Sequence, residues 1–240
     1  MKIPLFKDMI LFEDPDLILI NKPPYLSSLD ERQIIGPNLL SLAKAYFPDT
    51  QVCHRLDRET SGLMVLAKNP ETYRHVSMQF ERRKVKKIYH AVLDGTHEFK
   101  DLEIDLPILQ DNSGRVKIDR KEGKKANTFF NSLEYFKHFT LVEARPVTGR
   151  MHQIRIHLAT QRACISGDLM YGGKIPYLSQ IKRGYRHSGE DEEEPPMIRR
   201  FALHAFKIEF QHPNGEMIQM EAPYPKDFSV FLKQLEKFDR

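Results

Sequence analysis

The sequence has few cysteines and no long hydrophobic run. Cys53 and Cys164 lie far apart and match no metal-ligand spacing. No stretch approaches the roughly 18 apolar residues that a membrane span requires. Residues 1–16 also lack the apolar core and the small-residue cleavage site of a signal peptide. We therefore expect a reduced, cytoplasmic protein with no membrane partner.

The composition is that of an ordinary globular protein, with 40% hydrophobic and 29% charged residues in a chain of 240. We expect a single domain over residues 1–240. The net charge of +4 is mild, but its distribution is uneven. Local basic patches can bind phosphate groups, and the alternative is that they are solvated surface. The basic clusters lie at 81–87, 120–125, 182–186 and 199–200, and an acidic run lies at 190–194.

Strands dominate the pattern, and short turns join many of them, so we predict a mixed α+β fold with a largely antiparallel central sheet and flanking helices. Residues 174–200 have no periodic pattern and are predicted to be a flexible surface insertion. Asn214-Gly215 lies between two alternating apolar runs and predicts a hairpin. Helices are predicted at 38–47, 70–82, 151–161 and 228–238, and the clearest strands at 17–20, 87–93, 127–136, 139–143, 203–210 and 216–221.

Residues 52–68 are the most informative stretch, because a dense polar run feeds a clean apolar run. This pattern predicts a loop held by a buried strand, an arrangement that commonly carries binding and catalytic groups. Asp57 lies in the middle of the loop. A carboxylate there could act as a nucleophile or a general base, and it would need a nearby cation to stay ionised. The alternative is a structural aspartate that caps a turn.

A second group of polar residues lies at 145–157, where Arg150, His152, Arg155 and His157 crowd the predicted start of a helix. Helix N-termini suit anions such as phosphate, so this segment could bind phosphate, supply a cation to Asp57, or both. The alternative is a solvated amphipathic helix. The two histidines are five residues apart, which argues against a helical metal site.

Two further segments are weaker signals. Tyr89 lies in a predicted strand and could stack on a base if it faces a cleft, although a half-buried structural tyrosine is the simpler interpretation. Residues 166–173 contain glycines that allow tight turns close to a ligand. This segment matches neither a phosphate-binding P-loop nor a dinucleotide fingerprint.

Together these segments resemble one family. His54-Arg55-Leu56-Asp57 with Thr60-Ser61-Gly62 resembles the H-R-L-D-x-x-T-S-G signature of the RluA-type RNA pseudouridine synthases. Met151 departs from the family, which usually has Thr or Ser there. The resemblance covers about residues 10–223, and no N-terminal S4-type domain is expected. The other matching motifs, in the family's order, are Glu13-Asp14 with Asn21-Lys22-Pro23, Lys87-x-Tyr89-x-Ala91, Thr148-Gly149-Arg150 with His152-Gln153-Ile154-Arg155, Gly167-Asp168 with Tyr171-Gly172, and Leu203-His204-Ala205 with His212-Pro213.

The resemblance implies three catalytic residues: Asp57 as the catalytic aspartate, Tyr89 stacked on the target uracil, and Arg155 paired with Asp57. Arg55 would enter the RNA where the target base leaves. Further substrate contacts are expected from His54, Thr60, Arg150, His152 and Leu203.

The implied reaction converts uridine in ribosomal or transfer RNA to pseudouridine, without a cofactor or a metal, and we expect a monomer. The target base must leave its stack, which costs less in a loop than in a duplex. A non-catalytic RNA-binding relative or RNA chaperone is the alternative from another class. A hydrolase acting on a glycosidic bond ranks last, because such enzymes normally use two carboxylates and only one candidate is evident.

Overall fold

The computed structural model describes residues 3–30, 36–111, 114–185 and 193–240. They form strands, α-helices and two short 3-10 turns, at Leu169–Tyr171 and Leu178–Gln180. The strands are β1 Ile10–Glu13, β2 Leu17–Lys22, β3 Gln51–Val52, β4 Ser61–Ala67, β5 Lys86–Asp94, β6 Leu102–Asp105, β7 Ile108–Gln110, β8 Val116–Ile118, β9 Asn127–Tyr135, β10 Phe139–Pro146, β11 Leu203–Gln211 and β12 Met217–Glu221. The α-helices are α1 Phe6–Met9, α2 Leu39–Tyr46, α3 Pro70–Glu81, α4 Gln153–Thr160 and α5 Lys226–Phe238.

The chain divides into two compact units. The first comprises Met1–Tyr89 and His204–Tyr224, and the second comprises His90–Leu203 and Pro225–Arg240. The prediction of a single domain over the whole chain stays a prediction.

The sheet of the first unit runs in the order β1-β2-β4-β11, with β3 also paired to β4 and β12 to β11. Strands β4 and β11 are parallel, and the other pairs named here are antiparallel. Strand β2 explains the continuous apolar run in the sequence, because both of its faces are covered. Ile18 and Ile20 pack in the cluster that contains residues of α1 and α2, whereas Leu17 and Leu19 pack in the cluster that contains Val76 of α3. Alternate side chains of a strand point to opposite faces, so a strand buried on both faces must be apolar throughout.

In the second unit, β10 pairs with β9 and β9 with β6, both antiparallel. Strands β7 and β8 form a separate antiparallel pair. Ile156 of α4 packs in a small cluster with Ile108 of β7 and Ala126. Phe231 of α5 makes an edge-to-face contact with Phe139 of β10, at 5.6 Å between ring centroids. The predicted fold class, mixed α+β with a largely antiparallel sheet and flanking helices, is confirmed.

Most element predictions are confirmed, and capping explains two helix starts. Asn38 caps α2 by accepting a hydrogen bond from Ser41 N, and Asn69 caps α3 by accepting one from Thr72 N. The predicted helix at 151–161 is shorter, because His152 takes a left-handed conformation with φ of 55° and α4 begins at Gln153. Arg150 and His152 therefore precede the helix.

The predicted insertion at 174–200 is described except for residues 186–192. The described part contains the turn Leu178–Gln180 and a hydrogen bond from Met197 N to Pro176 O. Ile198 and Arg200 are buried in it. The flexibility expected of this segment stays a prediction.

Candidate active site

The loop that carries Asp57 is held at the residue before it. The Leu56 amide donates to Ser28 Oγ at 3.1 Å, and the Ser28 hydroxyl donates to the Leu56 carbonyl at 2.9 Å. After Asp57, the Thr60 amide donates to the Asp57 carbonyl at 3.0 Å, which closes a turn. Leu56 and Thr60 are buried and Asp57 is half-buried. The backbone of Asp57 is therefore fixed by its neighbours, although the residue itself is not fully buried.

A buried cation also holds this loop. Lys22, at the end of β2, is fully buried, and its Nζ donates to the carbonyls of Pro23, Leu26 and Arg58 at 3.0, 2.9 and 3.2 Å. Arg58 directly follows Asp57, so the lysine connects the end of β2 to the loop. Lys22 belongs to the Asn21-Lys22-Pro23 motif but was not predicted to be a site residue. The signal for its role was a lysine at the end of an otherwise apolar strand.

Two of the family motifs lie side by side where β4 begins. Ser61 and Gly62 of β4 pair in parallel with His204 and Ala205 of β11. His204 Nε2 lies 3.2 Å from the Ala222 carbonyl, which can only accept, so Nδ1 accepts from the Ser61 hydroxyl at 2.9 Å. A Cβ on Gly62 would lie 2.2 Å from the Ala205 carbonyl oxygen, and Gly62 has a φ of 115°. Only glycine allows this approach.

His54 supports the loop from inside the first unit. Its ring stacks on Phe80 with 4.4 Å between centroids, and its Nε2 accepts a hydrogen bond from Val65 N at 3.1 Å. Burial, together with the charge of Lys87, lowers the pKa of His54 to about 3. His54 is therefore a neutral acceptor near pH 7. The predicted contact of His54 with substrate stays a prediction.

Tyr89 lies in the same unit as Asp57 and within range of its charge. Its ring is half-buried and packs on the cluster that contains Leu56, Ile18 and Ala205. Burial and, second, the negative charge of Asp57 raise the pKa of Tyr89, so its hydroxyl stays protonated. The structure thus brings together two of the three predicted catalytic residues.

Lys87 was not predicted as a site residue, although it lies two positions before Tyr89 in β5. Side chains two apart on a strand point to the same face. Burial lowers the pKa of Lys87 to about 8. Arg55, in contrast, is exposed on the loop, as a side chain that enters RNA would need to be.

Arg155, the third predicted catalytic residue, belongs to the second unit and is buried. Its Nε and Nη2 each donate to the Asp168 carboxylate at 2.7 Å. Its guanidinium carbon lies 4.1 Å from the ring centroid of Phe201 and 5.0 Å from that of Tyr171. Asp168 fixes the orientation of the guanidinium, a role that its place in the glycine-rich motif did not reveal. The predicted pairing of Arg155 with Asp57 stays a prediction.

The other predicted substrate contacts in the second unit are His152, Arg150 and Leu203, and they differ in their exposure to solvent. His152 Nδ1 lies 2.9 Å from the Tyr171 hydroxyl. Arg150 is exposed, and its Nε donates to the Lys125 carbonyl at 3.1 Å. Leu203 is buried, with 4% of its surface accessible. These three stay predicted substrate contacts.

A cluster in the first unit has the composition of a metal site. Asp14, Asp16 and His212 place ligand atoms within 4.8 Å of one another. However, His212 Nδ1 accepts from Asn214 N at 3.1 Å, so its Nε2 carries the proton and faces Asp14 Oδ2 at 2.9 Å. The Asp14 Oδ1 accepts from the amides of Asp16 and Leu17. These contacts join the first hairpin to the turn after β11.

Comparison with known proteins decides the family. Residues 16–160 match the family model described as RNA pseudouridylate synthase. The chain belongs to this family. The synthase is 36% identical over 94% of its length to an uncharacterized RNA pseudouridine synthase of Zymomonas mobilis, of which it covers 98%. It is 32% identical to the ribosomal large subunit pseudouridine synthase D of Haemophilus ducreyi, over 94% of this chain and 70% of that protein.

Solved structures agree. The synthase superposes on human RNA pseudouridylate synthase domain containing 4 with a TM-score of 0.71 and 25% identity, covering 97% of this chain and 95% of the other. The RluA-type resemblance is therefore confirmed, and the synthase is an isomerase that acts on RNA. Among the residues that the structure describes, no helix is long and apolar enough to cross a membrane.

Proposed function

We propose that the synthase converts a flipped-out uridine in a loop of structured RNA to pseudouridine, with Asp57 as the catalytic carboxylate. The observation that carries this proposal is the carboxylate of Asp57 in a loop fixed on both sides and close to the protonated hydroxyl of Tyr89. A reacting group must be held in one geometry before a substrate arrives. The contacts of Leu56, Thr60 and Lys22 provide that restraint.

The chemistry assigned to these residues is an isomerisation. The bond from uracil N1 to ribose C1′ breaks, the base rotates, and C5 bonds to C1′. The proton on C5 leaves and N1 gains one, so no atom is lost from the RNA. Asp57 starts the reaction, either by attack on the nucleoside or by removal of a ribose proton.

Tyr89 is proposed to stack on the uracil and to take part in proton transfer at C5. Because C5 loses its proton, Tyr89 must pass on its own hydroxyl proton in order to accept that one, and its raised pKa keeps it protonated until the reaction starts. Arg155 is proposed to pair with the carboxylate of Asp57, and its bidentate contact to Asp168 would keep the guanidinium in one orientation.

Substrate contacts are proposed for Arg55, which would fill the space left by the flipped base, and for His54, Thr60, Arg150, His152 and Leu203. The exposed positions of Arg55 and Arg150 support contact with RNA. Ribosomal RNA is the proposed substrate, with transfer RNA as the other candidate, because two relatives are named as ribosomal large subunit synthases. We also propose that the chain acts as a cytoplasmic monomer with one catalytic domain, which sedimentation at assay concentrations would test.

Tritium release from RNA labelled at C5 of uridine tests the role of Asp57. Wild-type protein should release tritium, whereas Asp57→Asn should release none while still binding RNA. Asp49→Asn is the matched control, because Asp49 is an exposed aspartate outside the loop. Equal release by Asp57→Asn and wild type would refute the catalytic role. Binding without release by the wild type on ribosomal and transfer RNA would favour a non-catalytic RNA-binding protein.

The target is found by mapping pseudouridines in a deletion strain. Loss of a site in ribosomal RNA, restored by the wild-type gene and not by Asp57→Asn, would establish the substrate. A lost site in transfer RNA alone would reassign it.

A further inference from the structure

A basic cavity of the second unit lies outside the residues assigned to catalysis. It has a volume of about 900 Å³. Three segments line it: the turn between β9 and β10, residues 179–185 of the predicted insertion, and the end of α5. We refer to it as the insertion cavity. Its charged lining residues are Lys137, His138, Lys182, Arg183, Lys237 and Asp239.

The charge of the insertion cavity is strongly positive. Four lining residues are permanently cationic near pH 7, and Asp239 is the one carboxylate among the lining residues. That carboxylate is already occupied, because the His138 amide donates to it at 2.9 Å and His138 Nδ1 lies 2.5 Å from it. Glu194 contacts the edge of the cavity through the Ser179 amide at 2.9 Å. A concave surface lined mostly by cations attracts anions.

The backbone that carries the cavity residues is held by its own contacts. Asp239 is fully buried, and its carbonyl accepts from the Lys137 amide at 2.7 Å. Ile181, which also lines the cavity, is buried, and the Lys182 amide donates to the Leu178 carbonyl at 2.9 Å. Each of the three lining segments is therefore fixed by its own backbone contacts.

The aromatic rings in the cavity favour a phosphate ligand over a base. The ammonium of Lys182 lies 5.1 Å from the ring centroid of Phe238 and 5.6 Å from that of Tyr185. The ammonium of Lys237 lies 5.1 Å from the Phe238 ring. Cations therefore occupy the ring faces on which a base would stack. The rings hold the ammonium groups in place, and the groups remain donors to an anion.

We propose that the insertion cavity binds backbone phosphates of the RNA substrate, as a contact that positions RNA without reading its sequence. Lys137, Arg183 and Lys237 are exposed at the cavity, so a polymer could reach it without entering a closed pocket. This proposal rests on the proposed function only in that RNA is the substrate. It assigns a binding role to residues 179–185, for which the family motifs provide none.

Binding measurements with matched charge reversals test the proposal. The probe is a fluorescein-labelled RNA hairpin with a uridine loop, followed by fluorescence anisotropy. The test variant is Arg183→Glu with Lys237→Glu. The control is Lys226→Glu with Lys233→Glu, which makes the same charge change at exposed positions of α5 that do not line the cavity.

The test variant should raise the Kd about tenfold at low salt and flatten the slope of log affinity against log salt by about 1.4 to 1.8, the effect of two lost phosphate contacts. The control should stay close to wild type. In turnover assays the test variant should raise KM and leave kcat unchanged at saturating RNA. Equal effects of the two double variants, or no effect of the test variant, would overturn the proposal.

Two further measurements test whether the cavity binds small anions rather than RNA, and whether this proposal fails independently of the catalytic role of Asp57. Inorganic phosphate and uridine monophosphate are titrated separately, with the His138 ring resonances as the reporter. Perturbation by these ligands with unchanged RNA affinity of the test variant would make the cavity a small-anion site and overturn the RNA assignment. Repeating the binding assay with Asp57→Asn separates the two proposals. If Asp57 is not the catalytic residue, this variant still releases tritium, and that result does not bear on the binding of RNA at the cavity.

Discussion

The Arg155 guanidinium and the Asp168 carboxylate form a buried ion pair with two hydrogen bonds of 2.7 Å. The accessible fraction is 6% for the arginine side chain and 1% for the aspartate side chain. A buried pair of this kind contributes orientation more than stability, but removal of one partner is costly because its hydrogen bonds in the buried site are lost. Asp168 is therefore a positioning residue for Arg155.

Replacement of Asp168 by asparagine should lower the free energy of unfolding by about 3 kcal/mol, because the Arg155 charge stays buried without its carboxylate. If Arg155 acts in turnover, kcat should fall much more than RNA affinity. Denaturant unfolding and single-turnover assays measure the two effects. Asp101→Asn is the control, since it removes an exposed partner of Arg145 and should cost less than about 1 kcal/mol. Unchanged kcat in Asp168→Asn would contradict a positioning role in catalysis.

Replacement of Lys22 by methionine should remove three hydrogen bonds, one of which joins the end of β2 to the Arg58 carbonyl in the Asp57 loop. Each carbonyl left without a donor in a buried site costs about 1 kcal/mol or more, so the unfolding free energy should fall by about 3 kcal/mol. Proteolysis at the loop should accelerate, and kcat should fall with little change in RNA affinity. Lys44→Met, at an exposed position of α2, should behave like wild type. Equal stability of the two variants would show that Lys22 does not hold the loop.

Replacement of Gly62 by alanine should be severely destabilising, by about 3 kcal/mol or more, because the new Cβ would overlap the Ala205 carbonyl and the φ of 115° is unfavourable for alanine. Gly215→Ala isolates the conformational part of this cost. Gly215 has a φ of 93°, but a Cβ there would meet no atom within 4 Å. Its cost should be about 1 kcal/mol. Similar melting temperatures for the two variants would show that the contact with Ala205 is not restrictive.

The lowered pKa of His54 predicts a dependence of stability on pH. The pKa is 6.5 in the reference state and about 3 in the folded protein, so between these values only the unfolded chain binds the proton. Stability should therefore rise with pH over this window and be lost as pH falls below about 6.5, by at most about 1.4 kcal/mol per pH unit from this group. His54→Gln keeps an acceptor for Val65 N and should show a shallower slope below pH 6.5. Parallel curves for the two proteins from pH 4 to 7.5 would contradict the assignment.

Much of the fold was predictable because it depends on local patterns. The apolar run at Leu17–Ile20 and the turn at Asn214-Gly215 each identify an element from neighbouring residues. The start of α4 was not predictable in this way. His152 occupies a left-handed conformation there and its ring contacts Tyr171, 19 residues later. Helical periodicity does not report such a contact.

The candidate site was likewise predictable only in part. The motif of residues 54–62 identified Asp57 and its loop, since the residue types and their spacing are specific to the family. The partners of those residues were not predictable from the pattern. Lys22 reaches Arg58 across 36 positions, and Gly62 meets Ala205 across 143.

By itself, the sequence predicted most of the strands and helices, the family that the chain resembles, and the side chains proposed for the chemistry. Only the tertiary structure decided that Asp168 holds Arg155, that Lys22 holds the Asp57 loop, and that residues 179–185 join the end of α5 in a basic cavity. The physical reason is that local propensity acts over a few residues, whereas these contacts depend on how distant segments pack.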